Sequence, residues 1–302
     1  MNTIIRCMAV STLFFFTGRI TAQENMLQKN TDQTESNVTL LSTTPVVRDS
    51  FDYKTFLEDL PPFSMYGDNY FITGTSLNES ISSETSDAKF QLGFKQRLTN
   101  LKLPWETFLF FTYRQKAFWD IYKDSFPFRE TNYNPSLGLA KLFVDEEGIH
   151  SGLWFAFEHE SNGLGGEDSR SWNFFSLQYL KPFGTHWQFR AKAWLPFGDL
   201  SGNPDITSYR GYFSLGATHR VAQNFFFDVD VQPAYDDRLQ GHVQLGISFK
   251  ISKKSNQYVY LQYFGGYSED LIDYNQDVSN VRIGIAFKDL FGTFLRNDLV
   301  GR

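Results

Sequence analysis

The sequence predicts an all-β fold, a twelve-stranded antiparallel transmembrane β-barrel with a closed polar interior. Three observations lead to this prediction. From about residue 67 onward, apolar and polar residues alternate in segments close to the ~9–11 residues that a tilted strand needs to cross a bilayer. The polar positions of these segments carry charges of both signs, which suits a lumen filled by ion pairs. The connections are alternately short and long, as in outer-membrane barrels, where periplasmic turns are short and outer loops are longer.

The alternation is clear in the segment 186–196, where Trp187 and Phe189 occupy one face and Arg190 and Lys192 the other. The twelve predicted strands lie near 67–75, 87–97, 105–116, 135–144, 150–161, 171–181, 186–196, 209–218, 223–232, 240–250, 256–265 and 280–288. Period-2 strands also fit a soluble β-sandwich, but the mixed charges and the alternating loop lengths favour the barrel. An even strand count places both chain ends in the periplasm.

Residues 1–22 are predicted to be a secretory signal peptide, with a basic residue ahead of a short apolar run and small residues at its end. The only cysteine, Cys7, lies in this segment, so the exported chain is expected to contain none. Residues 23–65 form a polar N-terminal segment without useful periodicity. The barrel domain is predicted over residues 66–291, and residues 292–302 form a C-terminal extension.

Composition narrows the class of protein further. Beyond the signal segment, no stretch approaches the ~18 apolar residues of a membrane helix, so a helical membrane protein is excluded. Aromatic residues make up 18% of the chain, which is high for a soluble domain. The net charge of −6 argues weakly against a nucleic-acid partner.

One predicted hairpin carries the candidate chemistry. His159 and Ser161 are two residues apart and therefore share one face of a strand. If Ser161 pairs with Ser171, His159 lies opposite Asn173, because the residue numbers of opposed residues on antiparallel strands add up to the same sum along the ladder. The remainder of this face is apolar, with Leu153, Phe155, Phe157, Phe175, Leu177 and Tyr179. A nucleophile, a base and an amide that orients the base are thus predicted to meet on a lipid-facing surface.

Each residue type suits this chemistry. A serine hydroxyl is a weak nucleophile until a base removes its proton, and histidine is the usual base at neutral pH. Asn173 would orient the imidazole with a neutral carbonyl oxygen, which avoids placing a carboxylate beside hydrocarbon. The competing interpretation is that all three are ordinary interfacial or turn residues. Because three polar groups converge on an otherwise apolar face, the pattern favours a hydrolase that acts on lipid.

The loop 162–170 after this strand is rich in glycine and acidic residues. Its carbonyls, hydroxyls and carboxylates are the oxygen ligands that Ca²⁺ prefers. Such a loop is usually only a solvated turn, but beside a candidate nucleophile it becomes a candidate calcium site.

The stretches 158–163 and 169–173 resemble the active-site block of the bacterial outer-membrane phospholipase A family. Further similar stretches lie at 128–133, 203–207 and 271–275, and the resemblance covers roughly residues 65–291. It implies a twelve-stranded barrel in the outer membrane of a Gram-negative bacterium, a Ser-His-Asn triad, calcium dependence and activation by homodimerisation. The implied substrates are phospholipids, cleaved at the sn-1 and sn-2 esters, and lysophospholipids.

The resemblance also gives roles to individual positions. Ser161 corresponds to the nucleophile, His159 to the base and Asn173 to the residue that orients the base. The backbone N–H of Gly163 corresponds to the donor that stabilises the oxyanion.

The calcium site that the resemblance implies takes Ser169, Leu164 and Phe126 as ligands. The family often has arginine at the position of Leu164, but that residue is expected to bind through its carbonyl. The family also often has aspartate in the loop, where this chain has Gly166.

Gln115 is the last of the outward-facing residues on the predicted strand 105–116. An amide without a hydrogen-bond partner is costly in the membrane. Either Gln115 lies high enough to meet lipid headgroups, or, as the resemblance implies, it hydrogen-bonds across a homodimer interface. A second alternative concerns the whole chain, which would be a catalytically inactive barrel that acts as a porin or adhesin. A passive barrel would be expected to have a wide polar lumen, whereas the enzyme would be expected to have charged side chains packed into a closed lumen.

Overall fold

The computed structural model describes residues 61–99, 102–145, 148–252 and 255–289. In chain order the strands are β1 Phe63–Met65, β2 Asn69–Ser76, β3 Ser86–Arg97, β4 Phe108–Trp119, β5 Phe128–Asp145, β6 Gly148–Ser161, β7 Ser171–Phe183, β8 Trp187–Phe197, β9 Phe213–Ala222, β10 Phe225–Tyr235, β11 Leu239–Lys250, β12 Tyr258–Gly266 and β13 Val278–Phe287. One short helix, α1, spans Ile206–Arg210. The predicted signal peptide 1–22, most of the segment 23–65 and the extension 292–302 lie outside the described residues.

The strands close into an antiparallel barrel with twelve positions. Every strand from β2 to β13 pairs with its neighbours in the chain, and β13 pairs with β2 to close the ring. The short β1 adds no further position, because it pairs with β3 on the same side as β2. The chain passes from β1 to β2 through Gly67, whose φ of 72° is in the left-handed region. The predicted twelve-stranded barrel is therefore confirmed.

The differences from the predicted strands lie at strand ends. A 3₁₀ turn, Pro104–Glu106, occupies the predicted start of the third strand, where proline begins the turn and Trp105 has a φ of 62°. The loop predicted over 117–134 shortens to 120–127, because β4 and β5 extend past the bilayer-length segments. Helix α1 replaces the predicted start of the strand 209–218, because the two ends of this single turn, Ile206 and Arg210, are both buried. No helix among the described residues is long and apolar enough to cross a membrane.

Ion pairs fill much of the barrel interior. The Arg282 guanidinium contacts Asp87 and Glu269, each at 2.6 Å, and the Lys89 ammonium contacts Glu269 at 2.9 Å. All four side chains are buried, and the carboxylates accept several charge-assisted hydrogen bonds. Buried charges need such pairing, since desolvation is otherwise costly. A cavity of about 460 Å³ remains in the lumen. The predicted closed polar interior is confirmed.

An apolar cluster packs inside the barrel at the end that carries the connection 162–170. We call it the plug, and it consists of Trp172, Phe174, Trp194, Ile206, Leu271 and Tyr274. Two of its residues come from β7, and the others come from β8, from α1 and from the connection 267–277. The hydroxyl of Tyr274 donates a hydrogen bond to Asp205, just before α1. Burial and this hydrogen bond raise the pKa of Tyr274. The plug thus supports the strand that carries Asn173 from the inner side.

Candidate active site

The β6–β7 hairpin has the register on which the predicted site depends. Ser161 pairs with Ser171, and His159 pairs with Asn173. Nδ1 of His159 and Oδ1 of Asn173 are 2.9 Å apart, which is a normal hydrogen bond. The geometry therefore brings the histidine and the asparagine together through cross-strand pairing alone.

This hydrogen bond determines which imidazole nitrogen can act as a base. The amide oxygen of Asn173 can only accept, so Nδ1 of His159 carries the proton. The other nitrogen, Nε2, keeps its lone pair and can take a proton from a neighbouring hydroxyl. No hydrogen bond of the Ser161 hydroxyl is found among the described residues, and Ser161 lies two residues from His159 on the same face of β6. Catalytic hydrogen bonds are often unformed until substrate binds.

The site lies on the outward, apolar face of the barrel. Phe155 and Phe157 precede His159 in its register and are 48% and 40% exposed. Phe175 stacks on Phe155 with ring centroids 5.9 Å apart and on Phe197 at 4.7 Å. These rings make a continuous aromatic surface next to the polar residues. A group that approaches His159 and Ser161 must come from the side of the barrel, as the alternation predicts.

Two buried carboxylates hold β6 from the lumen side. Glu160 accepts hydrogen bonds from Trp172 Nε1 at 2.9 Å and from Arg210 at 2.6 Å. Glu158 pairs with Lys192 on β8 at 2.5 Å. Because these partners lie on β7, α1 and β8, they tie the strand of the site to three other elements. Removing one partner of a buried pair leaves an unpaired charge, so these contacts strongly fix the register.

The side chain of Asn162 organises the loop that follows the strand. Its Oδ1 accepts hydrogen bonds from the backbone N–H of Leu164 at 3.2 Å and of Arg170 at 3.0 Å. Its Nδ2 donates to the carbonyl of Asp168 at 2.8 Å. This role of Asn162 was not predicted from the sequence. Its position in a glycine-rich turn was the available signal, because asparagine side chains often bond to nearby backbone in turns.

Gly163 has a backbone that favours glycine for two reasons. Its φ is 70°, in the left-handed region that other residues seldom adopt. A Cβ at this position would also stand 3.0 Å from Cε2 of Tyr133, on the neighbouring strand. Glycine therefore lets the chain turn sharply two residues after Ser161.

The three predicted calcium ligands lie in two loops. Leu164 and Ser169 are in the loop 162–170, and Phe126 is in the loop 120–127. The carbonyl of Phe126 accepts a hydrogen bond from Trp119 Nε1 at 2.8 Å and keeps a second lone pair. The described residues contain no cluster of three or more His, Cys, Asp or Glu side chains that could hold a metal. Ser169 offers a hydroxyl, and Leu164 and Phe126 offer backbone carbonyls, which are oxygen donors of the kind that Ca²⁺ accepts.

Gln115 lies on the outward face of β4, as its register predicts. Its Oε1 already accepts a hydrogen bond from the hydroxyl of Tyr113 at 2.8 Å. The hydrogen-bonding capacity of the amide is therefore partly satisfied within its own chain, which the register alone does not predict. Its NH₂ group remains as a donor for another partner.

One further buried residue was missed. Asn203 is fully buried, and its Oδ1 accepts a hydrogen bond from the backbone N–H of Ser171 at 3.2 Å. It thereby attaches the connection 198–212 to the start of β7. In the sequence, the stretch 203–207 is recognisable only as similar to a family pattern, since a contact over 32 positions leaves no local signal.

The protein is a closed β-barrel with serine, histidine and asparagine together on its apolar outer face. These features are those of outer-membrane barrels that act on membrane lipid. Comparison with protein families gives the family. The family model described as phospholipase A1 matches residues 61–287, and the chain belongs to this family.

Named relatives agree with this assignment. Phospholipase A1 of Escherichia coli K12 is 32% identical over 274 residues, which cover 85% of this chain and 93% of the relative. Phospholipase A1 of Klebsiella pneumoniae is 33% identical and covers 82% of this chain and 90% of its own length. Among solved structures, outer membrane phospholipase A from Escherichia coli is 29% identical, with a TM-score of 0.67 over 76% of this chain and 99% of that one. The Salmonella typhi outer membrane phospholipase, solved as a dimer with bound calcium, is 27% identical, with a TM-score of 0.68 over 78% and 97%.

The chain is therefore a phospholipase, a hydrolase of the outer membrane. The passive porin or adhesin loses its support, because the family is enzymatic and ion pairs fill much of the lumen.

Proposed function

We propose that this phospholipase hydrolyses the acyl esters of phospholipids in the outer leaflet with a Ser161–His159–Asn173 triad on its lipid-facing surface. The observation that carries the proposal is the 2.9 Å hydrogen bond between His159 Nδ1 and Asn173 Oδ1, on an apolar outward face. That bond leaves Nε2 as the basic nitrogen beside Ser161. The sn-1 and sn-2 esters and lysophospholipids are the substrates that this surface would receive from the membrane.

The chemistry follows from these atoms. Nε2 of His159 takes the proton of the Ser161 hydroxyl as its Oγ attacks the ester carbonyl carbon. The N–H of Gly163 donates to the oxyanion that forms, and the Asn173 oxygen stabilises the imidazolium. The imidazolium then gives its proton to the departing glycerol oxygen, which leaves an acyl group on Oγ. A water molecule repeats the sequence, and the fatty acid is released with Ser161 restored.

The lateral position of the site suits a lipid substrate. An acyl chain leaving its ester at His159 and Ser161 would run along the aromatic surface of Phe155, Phe175 and Phe197. Burial of apolar surface there stabilises the bound chain by about 25 cal/mol per Å². The substrate does not have to leave the bilayer to reach the nucleophile.

We further propose that Ca²⁺ is the cofactor and that Ser169, Leu164 and Phe126 belong to its ligand set. When bound, Ca²⁺ would polarise the ester carbonyl and stabilise the developing oxyanion as a Lewis acid. The Salmonella typhi relative supports this proposal, because it was solved as a calcium-bound dimer. Ca²⁺ takes about six to eight oxygen ligands, more than these three residues provide, so a second copy is proposed to complete the ligand set.

The proposed function is tested by fatty-acid release from mixed phospholipid–detergent micelles. Substrates labelled separately at the sn-1 and sn-2 chains are used, each with calcium and with excess chelator. The refolded enzyme should release both chains when calcium is present, and His159→Ala should release neither. If His159→Ala matches the wild type, the triad is wrong.

The homodimer proposal gives a prediction for Gln115. Gln115→Ala should weaken dimerisation by about 3- to 30-fold, since amide hydrogen bonds within membranes contribute about 0.6–2 kcal/mol. Tyr113→Phe is the matched control, because it removes the hydroxyl that occupies Gln115 Oε1 and leaves the amide free. That variant should dimerise at least as tightly as the wild type. Analytical ultracentrifugation in detergent, with calcium and a substrate analogue, measures both, and an unchanged Gln115→Ala dimer would remove this residue from the interface.

A further inference from the structure

The β5–β6 ladder is interrupted beside the proposed base. The residue numbers of the pairs Tyr133↔Ser161 and Ser136↔Glu158 add up to the same sum, so the strand register is the same on both sides of the interruption. In this register Pro135 stands opposite His159. Proline has no backbone N–H, so it cannot make the ladder hydrogen bond expected at this place.

The direction of the His159 carbonyl follows from the next hydrogen bonds along the strand. The backbone N–H of Asn162 donates to the carbonyl of Arg170, which lies on the β7 side. Backbone polar groups of successive residues point alternately to the two neighbouring strands. His159, three positions earlier, therefore directs its carbonyl towards β5 and Pro135. An unpaired carbonyl on a surface that borders lipid would be costly.

The side chain of Asn134 supplies the missing donor. Its Nδ2 donates to the carbonyl oxygen of His159 at 3.1 Å. Its Oδ1 accepts a hydrogen bond from Arg114 on β4 at 3.2 Å. Because arginine can only donate, this contact fixes the amide with its NH₂ group towards His159. Asn134 is also buried, at 6% exposure, so water does not compete freely for the carbonyl.

We infer that Asn134 is a positioning residue for the catalytic base. Its amide replaces the N–H that Pro135 lacks, and it thereby holds the backbone from which the His159 imidazole projects. The imidazole must reach both Asn173 and the Ser161 hydroxyl, and a displacement of about 1 Å in such an arrangement can cost ~10² in rate. This inference rests on the proposed role of His159 as the base.

Restoring the backbone donor separates positioning from general stability. Asn134→Ala should lower kcat by about 10-fold or more with little change in KM, because the substrate surface is untouched. Asn134→Asp, which keeps the size and the Arg114 contact but cannot donate, should lose a similar factor. Pro135→Ala returns the N–H, so the double variant Asn134→Ala/Pro135→Ala should recover most of the activity. Asn132→Ala is the matched control, on the same face of β5, with a buried amide that has no hydrogen-bond partner among the described residues.

Each variant is refolded, its heat-resistant barrel is checked by gel mobility, and kcat and KM are measured on mixed micelles with calcium. Recovery in the double variant, with wild-type activity in Asn132→Ala, supports the inference. Full kcat in Asn134→Ala and Asn134→Asp overturns it, as does a double variant that stays as slow as Asn134→Ala. His159→Ala, measured alongside, keeps the two proposals apart. If it is inactive while both Asn134 variants are fully active, only the positioning role is lost, whereas an active His159→Ala refutes the triad itself.

Discussion

Ser161→Ala is expected to reduce phospholipid hydrolysis by about 10⁴- to 10⁶-fold, the loss typical of removing a nucleophile from such a triad. The folded barrel should be unaffected, because the side chain lies on the outward face of β6 and its hydroxyl makes no hydrogen bond among the described residues. Initial rates of fatty-acid release from mixed micelles measure the loss. Heat-modified gel mobility confirms that the variant is folded.

Ser171→Ala is the matched control for this experiment. Ser171 is paired directly opposite Ser161 on the same face of the hairpin. Its side chain has no proposed role, so this variant should retain activity within a few-fold of the wild type. If Ser161→Ala keeps more than a few percent of wild-type activity, the nucleophile lies elsewhere in the chain.

Removal of calcium is expected to reduce the rate by about 10²- to 10³-fold, the usual contribution of one electrostatic stabiliser of an oxyanion. Ser169→Ala should shift the calcium titration to higher concentration and leave the saturated rate less affected. The physical reason is that one neutral oxygen ligand is lost from a set that contains no clustered carboxylates among the described residues. The measurement is the rate as a function of free calcium for the wild type and for Ser169→Ala.

Ser171→Ala serves again as the control, since it also removes a serine hydroxyl close to the loop 162–170. Its calcium titration should overlay that of the wild type. Undiminished activity in excess chelator would end the calcium proposal. An unchanged titration for Ser169→Ala would remove that residue alone from the ligand set.

The strand register at the site could be predicted because one pair of opposed residues in an antiparallel hairpin determines all the others. Once Ser161 is placed opposite Ser171, the partner of His159 is fixed, and alternation decides which side chains face outward. The outward face of β6 and β7 was identified from sequence because its register carries a run of apolar residues, Leu153, Phe155, Phe157, Phe175, Leu177 and Tyr179. The strand count was predictable for the same reason.

The supports of the site could not be predicted in this way. Glu160 and Arg210 are fifty positions apart in the chain, and their contact depends on where α1 packs inside the barrel. The hydrogen bond from Asn134 to the carbonyl of His159 likewise requires the register of two strands and the missing N–H of Pro135. Such long-range contacts leave no periodic signal in the sequence.

The contact between Tyr113 and Gln115 is local and could have been predicted from the sequence. Tyr113 and Gln115 are two residues apart on the same outward face of β4, the same spacing that suggested the pair His159 and Ser161. A phenol and an amide at this distance can hydrogen-bond along the strand. Their contact changes the interpretation of Gln115, because its carbonyl oxygen has a partner before any second copy binds.

Ser161 is proposed to form a covalent acyl intermediate at a site that opens sideways into the lipid. The most direct measurement is peptide mapping by mass spectrometry after reaction with a long-chain alkyl sulfonyl fluoride, a reagent that modifies activated serines. One adduct is expected, on Ser161, and it should be absent from Ser161→Ala and strongly reduced in His159→Ala. An adduct on a different residue, or equal labelling of Ser161→Ala, would contradict this proposal.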